Sequence, residues 1–306
     1  MEISKLSKKK SAAERIAQIV FTVCASFTIL AVLSIMIYMI ANGTPALFEV
    51  GIKKLLFGTV WKPTAAEPEY GIFYVILTSV VGTFMAILLG VPIGILTAVF
   101  LAEAAPQKLS AIVKPAIELL AGIPSVIYGL LGIMVLNPIM YKIELAIFKD
   151  SQTHQFTGGA NLISAVIVLA VMILPTVINM SETAIRAVHP SMKASSLALG
   201  ATHIQTIFHV ILPAAKSGIL SAVMLGVGRA IGEAMAITLV SGSSVNLPLP
   251  FNSVRFLTTA LVSEMGYAGD LHREVLFTIG LVLFVFIMII NVVMERLIKN
   301  GGSKNA

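Results

Sequence analysis

Arg229 and Glu233 are the residues whose types and spacing most clearly indicate chemistry. They stand four positions apart in the apolar stretch Gly226-Val-Gly-Arg-Ala-Ile-Gly-Glu233, so a helix would place them on one face. A guanidinium can donate two parallel hydrogen bonds to an oxyanion, which a lysine cannot do. The pair therefore indicates an anion-binding point, in which Glu233 holds Arg229 while no anion is bound.

Two other interpretations of this pair stay open. An ion pair could neutralise both charges and fix the packing, although arginine before glutamate is the less favourable order at this spacing. A proton relay in a secondary transporter would use the same two residue types. In all three cases Gly228 and Gly232, also four apart, predict the close approach of a neighbouring helix.

The segment between residues 186 and 216 is a second candidate site. Pro190 suits the start of a short helix, and the small residues that follow it expose little bulk. Gly200 permits a turn before a second helical stretch, which ends at Pro213. This helix–glycine–helix pattern is suited to docking into a groove of another protein, and equally to lying on a lipid surface.

The composition identifies the class of protein that positions these residues. The chain has 306 residues, of which 57% are hydrophobic and 12% charged, and its mean hydropathy is +0.95. Ordinary soluble domains carry about a quarter charged residues, so a soluble enzyme, a disordered regulator and a fibrous protein are excluded. A single cysteine, Cys24, excludes a disulfide framework within the chain.

Six apolar stretches are long enough to cross a bilayer, which takes about 20 helical residues. The chain is therefore predicted to be an all-α membrane protein. Arg229 would lie near the middle of the fifth span, where an arginine costs about 2.5–3.5 kcal/mol unless it faces protein or water. The predicted spans are Ile16–Ile40, Ile72–Leu101, Pro115–Leu136, Leu162–Met180, Ser217–Val240 and Val275–Met294.

The distribution of basic residues predicts the orientation of these spans. With both termini inside, the inner segments hold 13 Lys and Arg and the outer segments hold 7. The charge of +6 thus reflects topology, and no compact basic patch predicts a nucleic-acid partner. The expected segments are a cytoplasmic tail (1–15), a first transmembrane helix (16–41), a periplasmic loop (42–71), a core of five helices (72–298) and a second cytoplasmic tail (299–306).

The chain carries no recognisable catalytic or metal-binding pattern of its own. No Gly-Lys dipeptide occurs, so there is no P-loop for ATP phosphates. Glu118 and Glu182 are expected to extend their carboxylates to the membrane interface. No zinc site is predicted from the scattered histidines, which are His154, His189, His203, His209 and His272.

The loop at residues 194–213 resembles the EAA loop of ABC importer permeases. It reads Ala194-Ser-Ser, three residues, Gly200, nine residues, and then Val210-Ile-Leu-Pro213. It departs from the family pattern because Ala194 stands in place of the glutamate. The resemblance implies a coupling helix that docks on an ATPase subunit, formed by Lys193, Ala194, Ser195, Ser196, Gly200, Ala201 and Thr202.

The stretch Gly228-Arg-Ala-Ile-Gly-Glu233 is closely similar to the same string in phosphate ABC importer permeases, the PstC and PstA subunits. Trp61-Lys-Pro63 followed by Tyr70-Gly71 looks more like PstC. The resemblance implies a type I ABC importer permease fold with six transmembrane helices and a cytoplasmic coupling helix. It also implies that Arg229 and Glu233 line the substrate path.

The same resemblance implies partners in a bacterial inner membrane. These are a PstA-like second permease, an ATPase dimer that binds ATP and Mg, and a periplasmic or lipid-anchored phosphate-binding protein. This chain would hold no cofactor itself and would contact membrane lipids. The outer loops at 42–71 and 241–274 are expected to receive the binding protein. Alternatives are a proton-coupled secondary transporter that uses Arg229 and Glu233, and an ABC importer for another oxyanion.

Overall fold

A computed structural model describes residues 12–302, with side chains from 14 to 298. Among these residues six helical segments are long and apolar enough to cross a membrane, which confirms the predicted count. Residues 1–11 and 303–306, which belong to the two predicted tails, lie outside the described residues. The six segments are Glu14–Phe57, Phe73–Ala104, Ser125–Ile147, Leu162–Arg186, His203–Gly232 and Asp270–Ile298.

The first half of the chain forms two long helices and a set of shorter ones. Helix α1 (Ala12–Ala46) continues through a π-helical turn (Leu47–Gly51) into α2 (Ile52–Phe57), well beyond its predicted end. A small antiparallel pair, β1 (Trp61–Lys62) and β2 (Glu69–Tyr70), leads into the next span. The remaining elements are α3 (Phe73–Val99), a π turn (Phe100–Ala104), α4 (Gln107–Gly122), α5 (Ser125–Leu131), a π turn (Gly132–Leu136) and α6 (Asn137–Ile147).

The second half contains the central helix of the bundle, α7 (Leu162–Arg186). A helix–turn–helix segment and a broken span follow it, and a long helix closes the chain. The elements are α8 (Pro190–Ala198), α9 (His203–Thr206), a π turn (Ile207–Ile211), α10 (Leu212–Gly232), α11 (Met235–Val240), α12 (Leu257–Glu264) and α13 (Asp270–Gly302).

The bounds predicted for the third span are wrong. A helix ends at Gly122 and a new one starts at Ser125, so the predicted span Pro115–Leu136 straddles a break. Ile123 is extended because the proline ring at position 124 disfavours helical geometry in the residue before it. The membrane-length segment is Ser125–Ile147, and α4 is a separate amphipathic helix.

Glycines bring the second, fourth and fifth spans into close contact. A Cβ at Gly90 would lie 2.7 Å from the Ile173 side chain, and one at Gly226 would lie 2.8 Å from Val177. These helices can touch closely only because the glycines have no side chain. α7, with α3 and α10 against it, forms the core of the bundle, and α13 with α1 packs on its outside.

The bundle has two ends, the loop end and the far end. The loop end carries residues 187–202, between α7 and α9. The far end carries the connections at residues 58–72, 148–161 and 241–269, including α12. α12 lies within the last of these connections.

Candidate functional site: a broken helix and a docking loop

The fifth span is broken where the sequence predicted continuous helix. α10 ends at Gly232, Glu233 is extended with ψ 129°, and the short helix α11 begins at Met235. Glycine is a poor helix former, which favours the end of α10 at Gly232. The polar groups that the break leaves without helical hydrogen bonds find other partners. Glu233 Oε1 accepts a hydrogen bond from Ala236 N at 3.0 Å, and the Glu233 carbonyl accepts one from Thr258 Oγ1 at 2.7 Å.

The predicted ion pair between Arg229 and Glu233 is absent. Arg229 lies in the last turn of α10, while Glu233 lies beyond that helix and directs its carboxylate to the first turn of α11. Within residues 12–302, Arg229 makes no ion pair and no hydrogen bond. The expectation that Glu233 holds Arg229 was therefore wrong, because the carboxylate, one residue before the N-cap Ala234, accepts a hydrogen bond from the first turn of α11 instead.

Each of the two charges lies at a favourable helix end. Arg229 stands in the last turn of α10, where a cation interacts well with the helix dipole. Glu233 precedes α11, and an anion at the start of a helix interacts well with the dipole of that helix. Arg229 is half-buried and within electrostatic range of the buried Tyr128 hydroxyl. The guanidinium is thus stabilised by its position and keeps its hydrogen-bond donors available.

The register of α10 against α7 gives the depth of Arg229. A Cβ on Gly218 would meet Ala184, and one on Gly226 would meet Val177, so the two helices run antiparallel. Continuing that register brings Arg229 level with the central turn of α7. Its depth in the bundle agrees with the prediction, even though the helix that carries it ends one turn later.

The predicted close approach at Gly228 and Gly232 does not occur among the residues that the structure describes. A Cβ at either glycine would meet no described atom within 4 Å. Close approach occurs instead beside the break, where a Cβ on Gly129 would lie 2.9 Å from the Cα of Ala236. The face of α10 that carries the two glycines and Arg229 is therefore open in the single chain.

The loop at residues 187–206, called the docking loop below, has the predicted helix–glycine–helix geometry. Gly200 adopts a φ of +84°, a conformation that residues with a side chain rarely take. Thr202 begins α9 with a capping box formed with Gln205. Ser196 Oγ lies 3.0 Å from Thr206 Oγ1 and joins the two short helices. These hydrogen bonds make the loop a defined surface.

The residues expected to couple divide into two groups. Ala194 and Ser195 are exposed and Ala201 is half-buried, so these three can offer a small-residue surface. Lys193 points back into the protein, with Nζ 2.5 Å from Glu103 Oε2 at the end of the second span. Gly200, Ser196 and Thr202 build the turn itself.

Sequence reasoning did not single out Leu199, the most exposed large apolar side chain described on this loop. Leu199, beside the turn, is 89% exposed, and Ile204 on α9 is 68% exposed. Ser195, Ala201 and Leu199 line one shallow cleft with Met192. Exposed apolar side chains at the end of a spanning bundle mark a contact surface. The sequence did hold a signal for this exposed residue, because Leu199 stands directly before the turn residue Gly200. Helical spacing alone did not single out Leu199.

Ion pairs organise the loop end. Glu182, expected at the interface, is instead buried, with its Oε1 2.5 Å from Lys114 Nζ and 2.7 Å from Arg186 Nε. It is buried because these two cations compensate its charge. Glu118 is exposed, as expected.

A second buried carboxylate organises the far end. Glu264 is 3% exposed, forms an ion pair with Arg255, and lies 2.7 Å from His272 Nε2. Trp61 Nε1 donates to the same carboxylate at 3.1 Å, so the segment before the second span is tied to the connection before the sixth. The two expected outer loops therefore form one structured surface.

Comparison with known proteins shows close relatives among transport proteins. The chain is 38% identical over 288 residues to the probable ABC transporter permease protein YqgH of Bacillus subtilis, covering 91% of this chain and 90% of that protein. It is 31% identical over 300 residues to the phosphate transport system permease protein PstC of Xylella fastidiosa, covering 94% and 92%.

Solved structures share the fold at low sequence identity. A bacterial alginate ABC transporter, solved with an alginate pentasaccharide-bound periplasmic protein, matches with a TM-score of 0.64 at 15% identity, covering 93% of this chain and 96% of that one. The MetNI methionine ABC transporter in an inward-facing conformation matches with a TM-score of 0.52 at 19% identity, covering 76% and 94%. These matches confirm the type I importer permease fold.

Residues 90–300, which include the docking loop and the broken helix, match a family of membrane subunits. In such transporters ATP hydrolysis belongs to a separate ATPase subunit, and a binding protein delivers the substrate. The chain belongs to the family of binding-protein-dependent transport system inner membrane components, as a multi-pass permease subunit of an ABC importer.

Proposed function

We propose that this chain is the PstC-like permease subunit of an ATP-driven importer of inorganic phosphate. It forms half of the translocation path, beside a PstA-like second permease. A dimer of ATPase subunits, which binds ATP and Mg, docks on the inner side. A periplasmic or lipid-anchored phosphate-binding protein docks on the outer side. Several relatives carry names that state phosphate transport, which supports this substrate.

The observation that carries the proposal is the unpaired guanidinium of Arg229 at mid-depth in the bundle. A charge at that depth is costly unless water, protein or a counter-ion meets it. The open face of α10 around Gly228 leaves room for an anion or a neighbouring helix beside it. The guanidinium fork matches two phosphate oxygens, and no ion pair has to break before phosphate binds.

Glu233 then limits how long phosphate stays. Its carboxylate is fixed on the first turn of α11, within one helical turn of Arg229 in sequence. A fixed negative charge repels a phosphate that is bound to the arginine, so release remains possible. Conduction requires a site that binds strongly enough to admit the ion and weakly enough to release it.

The loop at residues 187–206 couples this path to the ATPase. Ala194 and Ser195 offer a small surface, and the exposed Leu199 and Ile204 offer apolar side chains to a groove. Ala201 adds to that surface, and Lys193, Ser196, Gly200 and Thr202 hold it in shape. In this arrangement the loop and both termini lie in the cytoplasm, and the far end receives the binding protein.

The test is uptake by proteoliposomes that contain this chain, the second permease and the ATPase. Mg-ATP is enclosed, and phosphate-loaded binding protein is added outside. We expect accumulation of radiolabelled phosphate that requires ATP, survives an uncoupler and resists excess sulfate. Uptake driven by a proton gradient without ATP would show a secondary transporter, and equal competition by sulfate would show an importer for another oxyanion.

The substrate role of Arg229 is tested in the same vesicles. Arg229→Gln should lower ATP-driven uptake about ten- to a hundredfold, the effect of losing a charge-assisted hydrogen bond of about 1.5–3 kcal/mol. Arg229→Lys should retain more uptake, because the charge stays although the fork is lost. Normal uptake by an assembled Arg229→Gln complex would remove Arg229 from the path.

The docking role of the loop is tested at Gly200. Gly200→Val should weaken co-purification of the ATPase, because a β-branched residue is strained at φ +84°. Gly200→Asn is the matched control, since asparagine tolerates this conformation and a Cβ here would meet nothing within 4 Å. Full co-purification with the valine variant would contradict the assignment.

A further inference from the structure

Both halves of the docking loop bind one residue at the inner end of α3. Lys193 on α8 approaches Glu103 Oε2 with its Nζ at 2.5 Å, and His203 Nε2 on α9 lies 3.3 Å from the Glu103 carbonyl oxygen. Glu103 lies in the π turn that ends the second span. The loop is therefore anchored to α3 from both sides of Gly200.

Further contacts strengthen the same attachment. Arg186, which ends α7 just before the loop, donates from Nη2 to the carbonyl oxygen of Leu101 at 2.7 Å. Ile207 and Ile211, in the π turn that follows α9, belong to one buried apolar cluster with Ala98. Polar and apolar contacts thus fix the docking loop to the last turns of α3.

The outer part of α3 is bonded to the helix that supports the break. Ser79 Oγ accepts a hydrogen bond from Leu257 N at 2.8 Å, in a fully buried position at the start of α12. The next residue of α12, Thr258, donates its hydroxyl to the Glu233 carbonyl oxygen at 2.7 Å. Two hydrogen bonds thus link α3 to the broken segment.

The break is consequently held from two directions. α10 reaches it directly, since the helical segment His203–Gly232 starts in the docking loop. α3 reaches it through α12. The shape of the turn at Glu233 depends on where α10 and α3 stand relative to each other, and the Lys193–Glu103 contact sets that relation at the loop end.

We propose that α3 is a strut that carries displacement of the docking loop to the helix break, with Glu103, Ser79 and Thr258 as positioning residues. None of these three needs to touch substrate. Lys193 serves this linkage by holding the loop to α3, and not as a docking residue. The proposal rests on the function proposed above, and its alternative is that α10 alone transmits the movement.

The first experiment measures phosphate imported per ATP hydrolysed in the reconstituted complex. Glu103→Gln and Lys193→Gln should each lower that ratio about tenfold, within the range of known coupling energies, while the ATPase stays bound. The charge reversal Glu103→Lys with Lys193→Glu should restore the ratio to within about twofold of the wild type. Rescue by reversal separates this role from a merely structural one.

The far end of the strut is tested with Thr258→Val, which removes the hydroxyl and preserves the shape. This variant should also lower phosphate imported per ATP. Thr97→Val is the matched control, because that exposed hydroxyl bonds only within α3, to the Ile93 carbonyl oxygen. Wild-type ratios in assembled Glu103→Gln and Thr258→Val complexes, or failure of the charge reversal to rescue, would overturn the strut.

A second measurement does not depend on the substrate. In the purified chain in lipid nanodiscs, Glu103→Gln should raise amide hydrogen exchange across residues 230–240 about threefold or more, and Thr97→Val should not. Unchanged exchange would reject the strut whatever the complex transports. Failure of the wild-type complex to import phosphate would instead reject the proposed function and leave the exchange result to decide on the strut.

Discussion

The broken helix and the two ends of the bundle differ in whether their charged side chains are paired. At the break, Arg229 has no partner among the described residues, and Glu233 bonds to backbone. At the ends, Glu182 and Glu264 are buried and each binds two cationic or ionisable side chains. Pairing therefore holds the architecture together, while the unpaired charge of Arg229 is available to the anion proposed above. Substitutions at four residues test this contrast, ordered by expected loss of stability.

The largest loss is expected for Glu264→Gln. Its partners Arg255 and His272 are themselves 16% and 8% exposed, so removing the carboxylate leaves buried groups without compensation. Breaking one side of such a pair costs about 3–5 kcal/mol. The free energy of unfolding in detergent measures this effect. Glu67→Gln, an exposed carboxylate in the connection between β1 and β2, is the control and should change little.

A smaller loss is expected for Glu182→Gln. Its partners are more open to water, with Lys114 35% and Arg186 46% exposed, so both cations can be solvated once the carboxylate is gone. We expect about 1–2 kcal/mol in the same unfolding measurement. Glu118→Gln in the neighbouring cleft is the control. A loss equal to that of Glu264→Gln would show that exposure of the partners does not govern the cost.

At the break, Glu233→Ala should cost about 1 kcal/mol, because its carboxylate caps the first turn of α11 through one hydrogen bond, from Ala236 N. Glu233→Gln should be close to wild type in stability, because the amide oxygen can still accept from the Ala236 amide. Comparing the two unfolding free energies isolates the cap from the charge. If both variants lose the same stability, the negative charge itself, and not the cap, stabilises this turn.

The smallest loss of stability is expected for Arg229→Gln. With no pair to break, its unfolding free energy should stay within about 0.5 kcal/mol of wild type, while phosphate uptake falls about ten- to a hundredfold. Lys216→Gln, an exposed position in the same helix, should preserve both quantities. A large loss of stability in Arg229→Gln would mean that the arginine is structural, and the contrast drawn above would fail.

Much of the fold follows from local properties of the chain. Six apolar stretches predicted six spans, and Gly200 between two short helical patterns predicted the left-handed turn found there. The motif at residues 228–233 singled out the two charges near the centre of the bundle. These predictions succeed because hydropathy and backbone preference act over a few neighbouring residues.

The two breaks escaped prediction because apolar residues surround them. Pro124 and Gly232 each end a helix, but hydropathy continues across both positions and suggests one span. A broken helix is tolerated at membrane depth only where neighbours satisfy the freed groups, and here Thr258 does so from 25 residues away. The residues around Gly232 contain no pattern that indicates a partner as distant in the chain as Thr258.

The sequence by itself determined the class of protein and the number of spans, and it indicated the helix–turn–helix shape of the loop at residues 187–206. Only the tertiary structure decided which charges are paired. Lys193 meets Glu103 across 90 positions of the chain, and Trp61 meets Glu264 across 203. Those contacts depend on how the helices pack. The spacing of Arg229 and Glu233, by contrast, suggested an ion pair, and that pair does not form because the helix ends at Gly232.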